Sequence, residues 1–152
     1  MNISNKIKKW SIVVSVALCA LGLLIQLIPY GRKHDNPRVV SEPPWDSPAT
    51  RALVKRACFD CHSHETEWPF YSSIAPSSWI VTSDVTEARE ILNFSDWQGG
   101  KRSGENAQAV QEEIEEGEMP PIMFRLAHPK ARLNADEQQR LIQGWRRTLG
   151  ER

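Results

Sequence analysis

Residues 58–62 read Cys58-Phe59-Asp60-Cys61-His62, and the tract runs on as Ser63-His64-Glu65-Thr66-Glu67-Trp68-Pro69-Phe70-Tyr71. Two thiols three positions apart, with an imidazole directly after the second, can add to both vinyl groups of one haem while that imidazole reaches the iron from the same face. The spacing therefore predicts one covalently attached haem c, held by Cys58 and Cys61 and ligated axially by His62. A zinc site fits less well, because such sites draw ligands from separated pairs, whereas Cys58, Cys61, His62 and His64 crowd into one short tract. A thioredoxin-like dithiol needs a βαβ context that this chain lacks. The third cysteine, Cys19, lies in an apolar run and reads as a membrane-buried side chain, so the odd count does not describe a disulfide framework.

That apolar run, Ser11 to Ile28, carries no charge and is bracketed by Trp10 and Tyr30. On a helix the two aromatic residues would stand roughly 30 Å apart, one bilayer core, with a ring at each interface. Leu21, Leu23, Leu24, Leu27 and Ile28 continue past the small residues a signal peptidase would need, so residues 11–30 are expected to be a permanent single-pass anchor. Residues 1–10 then lie in the cytoplasm. Gly31 and the prolines that follow it, Pro37, Pro43 and Pro44, make 31–47 a semi-extended linker.

Residues 48–152 read as a small helical domain with long loops. Ser47-Pro48 is an N-cap and first-turn pair that opens a helix towards Cys58. Val81, Val85, Ala88 and Leu92 recur on one face of a second helix after Pro76. A third is expected from about Glu105 to Glu116, with Val110 and Ile114 inward and Gly117 as its stop. Asn134 with Glu137 resembles a capping box for a fourth, whose buried stripe is Leu141, Trp145 and Leu149. The loops 62–77, 93–104 and 117–133 need something to pack against, and a haem would serve. Asn93-Phe94-Ser95 matches a glycosylation sequon, read as a false positive in a bacterial periplasmic chain.

For the sixth iron position the candidates are Met119, Met123, His64 and His128. Met119 is preferred: it sits in Gly117-Glu118-Met119-Pro120-Pro121, where two prolines stiffen the backbone behind a weak thioether ligand. His64 is too close to His62 to reach the opposite face. Trp68, Tyr71, Trp79 and Trp97 are candidate walls of the haem pocket, with ordinary core packing the alternative. The order of helix, cysteine motif, middle helices, methionine loop and last helix is that of class I cytochromes c. That order would cross Leu53, Val54 and Ala57 against Leu141, Trp145 and Leu149.

The chain resembles the small bacterial haem-binding domain family of cytochrome c-like proteins. The likeness runs through Cys58–Tyr71, Ile74-Ala75-Pro76-Ser77-Ser78-Trp79, Asp84-Val85, Asn93-Phe94-Ser95-Asp96-Trp97, Gly117–Pro121 and His128-Pro129, over roughly residues 39–149. His64 stands where Asn is usual, and Ala88 where Gly is usual. The resemblance implies haem binding and an all-α, cytochrome c-like body.

Charge bears on partners. Residues 1–34 hold Lys6, Lys8, Lys9, Arg32 and Lys33 and no acid, leaving 14 of the 19 Lys/Arg against all 19 Asp/Glu and a net charge of −5 beyond them. That sign disfavours nucleic acid and suits a basic patch on a redox partner, a respiratory complex among the candidates. Thioether attachment takes place outside the cytoplasmic membrane in bacteria, which would put residues 31–152 in the periplasm. The expected activity is one-electron transfer rather than catalysis; the alternative is a haem sensor or peroxidase-like enzyme with a displaceable sixth ligand.

Overall fold

In the computed structural model, residues 3–151 are described, and every regular element among them is helical. The chain forms two compact units. One comprises the chain up to His34 together with Pro69–Ser83, and the other Asp35–Trp68 together with the chain from Asp84 onward.

The first unit is built on α1 (Ile3–Leu24), continued by a 3-10 turn at Ile25–Leu27. The helix starts ahead of the apolar run because Lys6, Lys8 and Lys9 are good helix formers and nothing breaks the chain before Pro29. Lys6–Leu27 is long and apolar enough to cross a membrane and buries none of its length within the structure. Near its end Gln26 donates to the carbonyl of Ala75 (2.9 Å) and accepts from the amide of Ala75 (3.0 Å). Gly31, at φ 77°, runs against the backbone of Ser78, and Thr82 Oγ1 donates to its carbonyl (3.2 Å). A Cβ would not fit there.

In the second unit α2 (Pro48–Ala57) begins as its sequence dictates, with Ser47 Oγ accepting from the Thr50 amide (3.2 Å) and Pro48 at the first helical position. A one-residue junction at Cys58 leads into α3 (Phe59–His62). α4 (Ser77–Ile91) starts in the first unit and ends in the second, where Val85 and Leu92 are buried. α5 (Ala107–Glu115) is capped by Asn106, whose side chain accepts from the Ala109 amide. α6 (Ile122–Ala127) is short, and α7 (Ala135–Thr148) carries the Asn134/Glu137 capping box in full.

α2 and α7 pack against each other. Leu141 and Trp145 are buried in the core with Val54, while Leu53 and Leu149 lie half-buried against it. Gly144 faces Thr50 across this contact, and a Cβ at 144 would lie 2.8 Å from Thr50 Cγ2. The remainder of the core is aromatic: Phe59 stacks on Phe94 (5.4 Å), and Trp145 stands edge-on to Phe94 (5.6 Å) and Trp97 (5.5 Å).

Two stretches without α-helix, the linker and the 93–104 loop, are bound to the body. From Asp35 the Pro-rich linker is extended but stitched to the body, with Val40 N donating to Ser95 O (2.8 Å) and Trp97 N to Ser41 O (3.2 Å). Glu42 accepts from Arg51 Nε and Nη2 and from Trp45 Nε1, each at 2.7 Å, which outweighs the opposing effect of burial and leaves its carboxyl below the ordinary value of 4.5. The 93–104 loop is organised from within: the buried carboxylate of Glu105 accepts from Gly100 N (2.8 Å) and Arg102 Nη1 (3.1 Å), and Arg102 Nη2 reaches Asp96 Oδ2 (2.8 Å). Asn93 is itself buried, its side chain bonded to His64 and to the Ser95 amide.

The Gly144→Ala change forces the new methyl into Thr50 and is expected to cost about 1–3 kcal/mol. Adding Thr50→Ala should return part of that loss, measured as a double-mutant cycle by denaturant unfolding of the detergent-solubilised chain.

Candidate haem site

The tract Cys58–His62 occupies the junction of α2 and α3. Cys58 N closes α2 on Val54 O (2.8 Å), and His62 N returns to Cys58 O (2.9 Å), so the tract is one helical turn with a slight break at its start. At about 100° per residue, positions 58, 61 and 62 fall within roughly one third of the circumference, with Phe59 beyond them. Phe59 is 1% exposed and locked between Phe94 and Trp45, with the Arg51 guanidinium 5.5 Å from its ring centre. The residue between the thiols thus nails the turn to the core.

His62 is held by its inner nitrogen. Nδ1 lies 3.1 Å from the carbonyl oxygens of both Ala88 and Leu92 at the end of α4. Carbonyls only accept, so Nδ1 carries the proton and Nε2 keeps its lone pair. Burial pushes the imidazole below its ordinary 6.5, against the opposing pull of the two carbonyls, and the ring is neutral at pH 7. A neutral imidazole with one nitrogen donating to backbone oxygen and the other open is the form a metal ligand needs.

The thiols are not joined to each other. Burial, then the neighbouring Cys61, pushes Cys58 up to about 12. Burial, with Asp60 and Asp84 adding and Arg89 opposing, pushes Cys61 up to about 11. Both are neutral thiols at pH 7. The donor set suits a haem: two protonated sulfurs and an oriented imidazole on one turn. It suits zinc poorly, because His64 is committed elsewhere. Its Nδ1 donates to Arg38 O (3.1 Å) and its Nε2 accepts from Asn93 Nδ2 (3.0 Å).

The methionine loop leaves α5 through Gly117, at φ 78°, whose amide donates to Ile114 O (3.2 Å). Met119 N then bonds Glu113 O (3.0 Å), and Arg125 Nη2 holds the Gly117 carbonyl (3.1 Å). The Met119 backbone is therefore fixed while its side chain is 36% exposed. Met123, on α6, is 73% exposed. His128 stacks on Phe124 (4.3 Å), and burial raises the pKa of the Asp60 carboxyl. The turn Pro129–Ala131 that follows packs on α2.

The haem-binding domain family matches residues 20–147, from inside α1 to near the end of α7. This chain belongs to that family. No curated protein and no solved structure matches it.

Within this haem-binding domain the four aromatic candidates divide. Trp97 packs on Trp145 in the core, and Trp68 donates from Nε1 to Asn36 Oδ1 (3.2 Å). Tyr71 and Trp79 belong to the other compact unit, where Tyr71 meets Phe70 edge-on at 5.7 Å. Sequence reasoning passed over Phe59, Phe94 and the carbonyls of Ala88 and Leu92. The first two were legible as large apolar residues inside the motif and inside the Asn93-Phe94-Ser95 tract. The carbonyls carried no signal.

Phe59→Ala removes the anchor of the turn and is expected to destabilise the chain by about 3–5 kcal/mol, read as a lowered denaturant midpoint. Phe59→Leu, which keeps most of the volume, should lose less than half of that.

Proposed function

We propose that this haem-binding domain is a membrane-anchored monohaem c-type cytochrome that carries single electrons, with its body in the bacterial periplasm. The observation that carries the reading is His62: its imidazole is neutral, pinned through Nδ1 by two carbonyls, and one turn-position away from two unpaired thiols. Cys58 and Cys61 would hold the haem through thioethers, and His62 Nε2 would ligate iron. Bound there, the haem supplies a one-electron Fe(III)/Fe(II) couple.

The chain's own residues would hold and orient. The Ala88 and Leu92 carbonyls keep the imidazole from rotating and keep Nε2 deprotonated. Phe59 fixes the turn, so little rearrangement accompanies a change of charge. Met119 is the favoured sixth ligand, because its backbone is fixed by Glu113 and Arg125 while its thioether is exposed. The packing of α2 on α7 and the order of the elements support a class I cytochrome c-like arrangement. The helix Lys6–Leu27, with Lys6, Lys8 and Lys9 at its N-terminal end, supports an anchor with the body outside. An acidic body favours a basic partner surface.

The exposure of Met119 also favours a second reading, a sensor or peroxidase-like enzyme in which that thioether is displaceable.

Expression of the full chain with a haem-attachment system tests these readings. Haem should survive acid–acetone extraction in the unmodified protein and be lost in the Cys58→Ser/Cys61→Ser variant; extraction of all haem from the unmodified chain would sink covalent attachment. The ferric spectrum should show a methionine–iron charge-transfer band that vanishes in Met119→Ala and persists in Met123→Ala. Fast, tight CO binding by the unmodified ferrous protein would favour the sensor or enzyme over the carrier.

A further inference from the structure

Arg89 follows Ala88, whose carbonyl holds His62, and its guanidinium faces the same turn. Nε donates to Ser63 O (2.8 Å), the residue after His62. Nη2 donates to Thr66 Oγ1 (3.0 Å) and Asn36 Oδ1 (3.3 Å), and Nη1 to Asp35 O (3.1 Å). All these acceptors are uncharged groups, and among the described residues Arg89 has no carboxylate in an ion pair. A half-buried, permanently charged group is therefore fixed at the residue after the imidazole with no carboxylate ion-paired to it, although the Asp35 charge acts on it through space.

We propose that Arg89 sets the reduction potential of the haem bound at Cys58–His62, its fixed positive charge favouring the ferrous over the ferric state. The proposal rests on the haem reading above and adds a role for a residue outside the ligand set. One electron from an external one-electron reductant takes Fe(III) to Fe(II); no bond in the chain forms or breaks, and no proton moves. The charge at the iron falls by one unit, so a nearby cation stabilises the product. At an effective dielectric near 20, a unit charge on the order of 10 Å away shifts such an equilibrium by about tenfold.

The surroundings are mixed in sign. After burial, Asp60 and Asp84 push the Cys61 thiol up, and Arg89 pulls it down, so the guanidinium field reaches the motif. Burial raises the pKa of both carboxyls and lowers that of Arg89, whose guanidinium is the cation set against them at the motif. Four hydrogen bonds also hold the charge in one place.

The test is a mediated equilibrium redox titration of the full, haem-loaded chain in detergent. Arg89→Gln is expected to shift the Fe(III)/Fe(II) ratio about tenfold towards ferric at a given ambient potential, a midpoint lower by about 59 mV. Arg89→Lys keeps the charge while losing most of the hydrogen bonds, and should stay within about twofold of the unmodified protein. A merely structural role would move both variants together. An unchanged midpoint in Arg89→Gln, or a tenfold shift in Arg89→Lys, overturns the proposal. If the glutamine variant does not fold with haem, the equally uncharged Arg89→Met takes its place with the same expected shift and the same overturning result. An unmodified chain that takes up no haem at all overturns the underlying reading instead, and is recognised before any potential is measured.

Discussion

The stacking of Phe59 on Phe94 is the contact on which the rest of the second unit turns. A tract that must present two sulfurs and an imidazole on one face has only two other positions, and one of them is spent on a ring driven into the core. That ring joins α3 to Trp45 from the linker, to Phe94 from the stretch after α4, and through Phe94 to Trp145 on α7. Segments far apart in sequence thereby meet at the residue between the thiols. The reactive groups inherit the rigidity of a close-packed interior although they lie at its edge.

The second constraint comes from the end of α4. Terminal carbonyls of a helix lack intrahelical partners and must find donors. Here Leu92 O, together with Ala88 O, takes the proton of His62 Nδ1. The same helix end then contributes the guanidinium of Arg89 to Ser63 O. One turn of α4 thus meets a structural requirement of its own and fixes the tautomer of the neighbouring ring.

What could be read from the sequence follows the range of the interaction concerned. The starts of α2, α5 and α7 depend on residues within one turn, Ser47 with Pro48, Asn106, and Asn134 with Glu137, and two of these three caps stood out in the sequence. The thiols and imidazole were equally plain, because their chemistry is local. α6 was hidden, since Pro120-Pro121 reads as loop although a proline makes a good entry to a helix. The carbonyl clamp on His62 was invisible for a different reason: every residue has a carbonyl, and only the tertiary fold selects two of them. Likewise the linker's prolines announced its extended backbone but not its attachment to Ser95 and Trp97, and Gly144 gave no sign of Thr50 across the helix crossing.

The buried carboxylate of Glu105 has a consequence for how this chain can vary. It gathers donors from Gly100 and Arg102, on the rim of a stretch without regular secondary structure. Surface loops usually absorb insertions and deletions freely. This one is cut to length, since an added residue between Gly100 and Glu105 would pull a donor off an anion that water cannot reach. Here the spacing is part of the fold's specification.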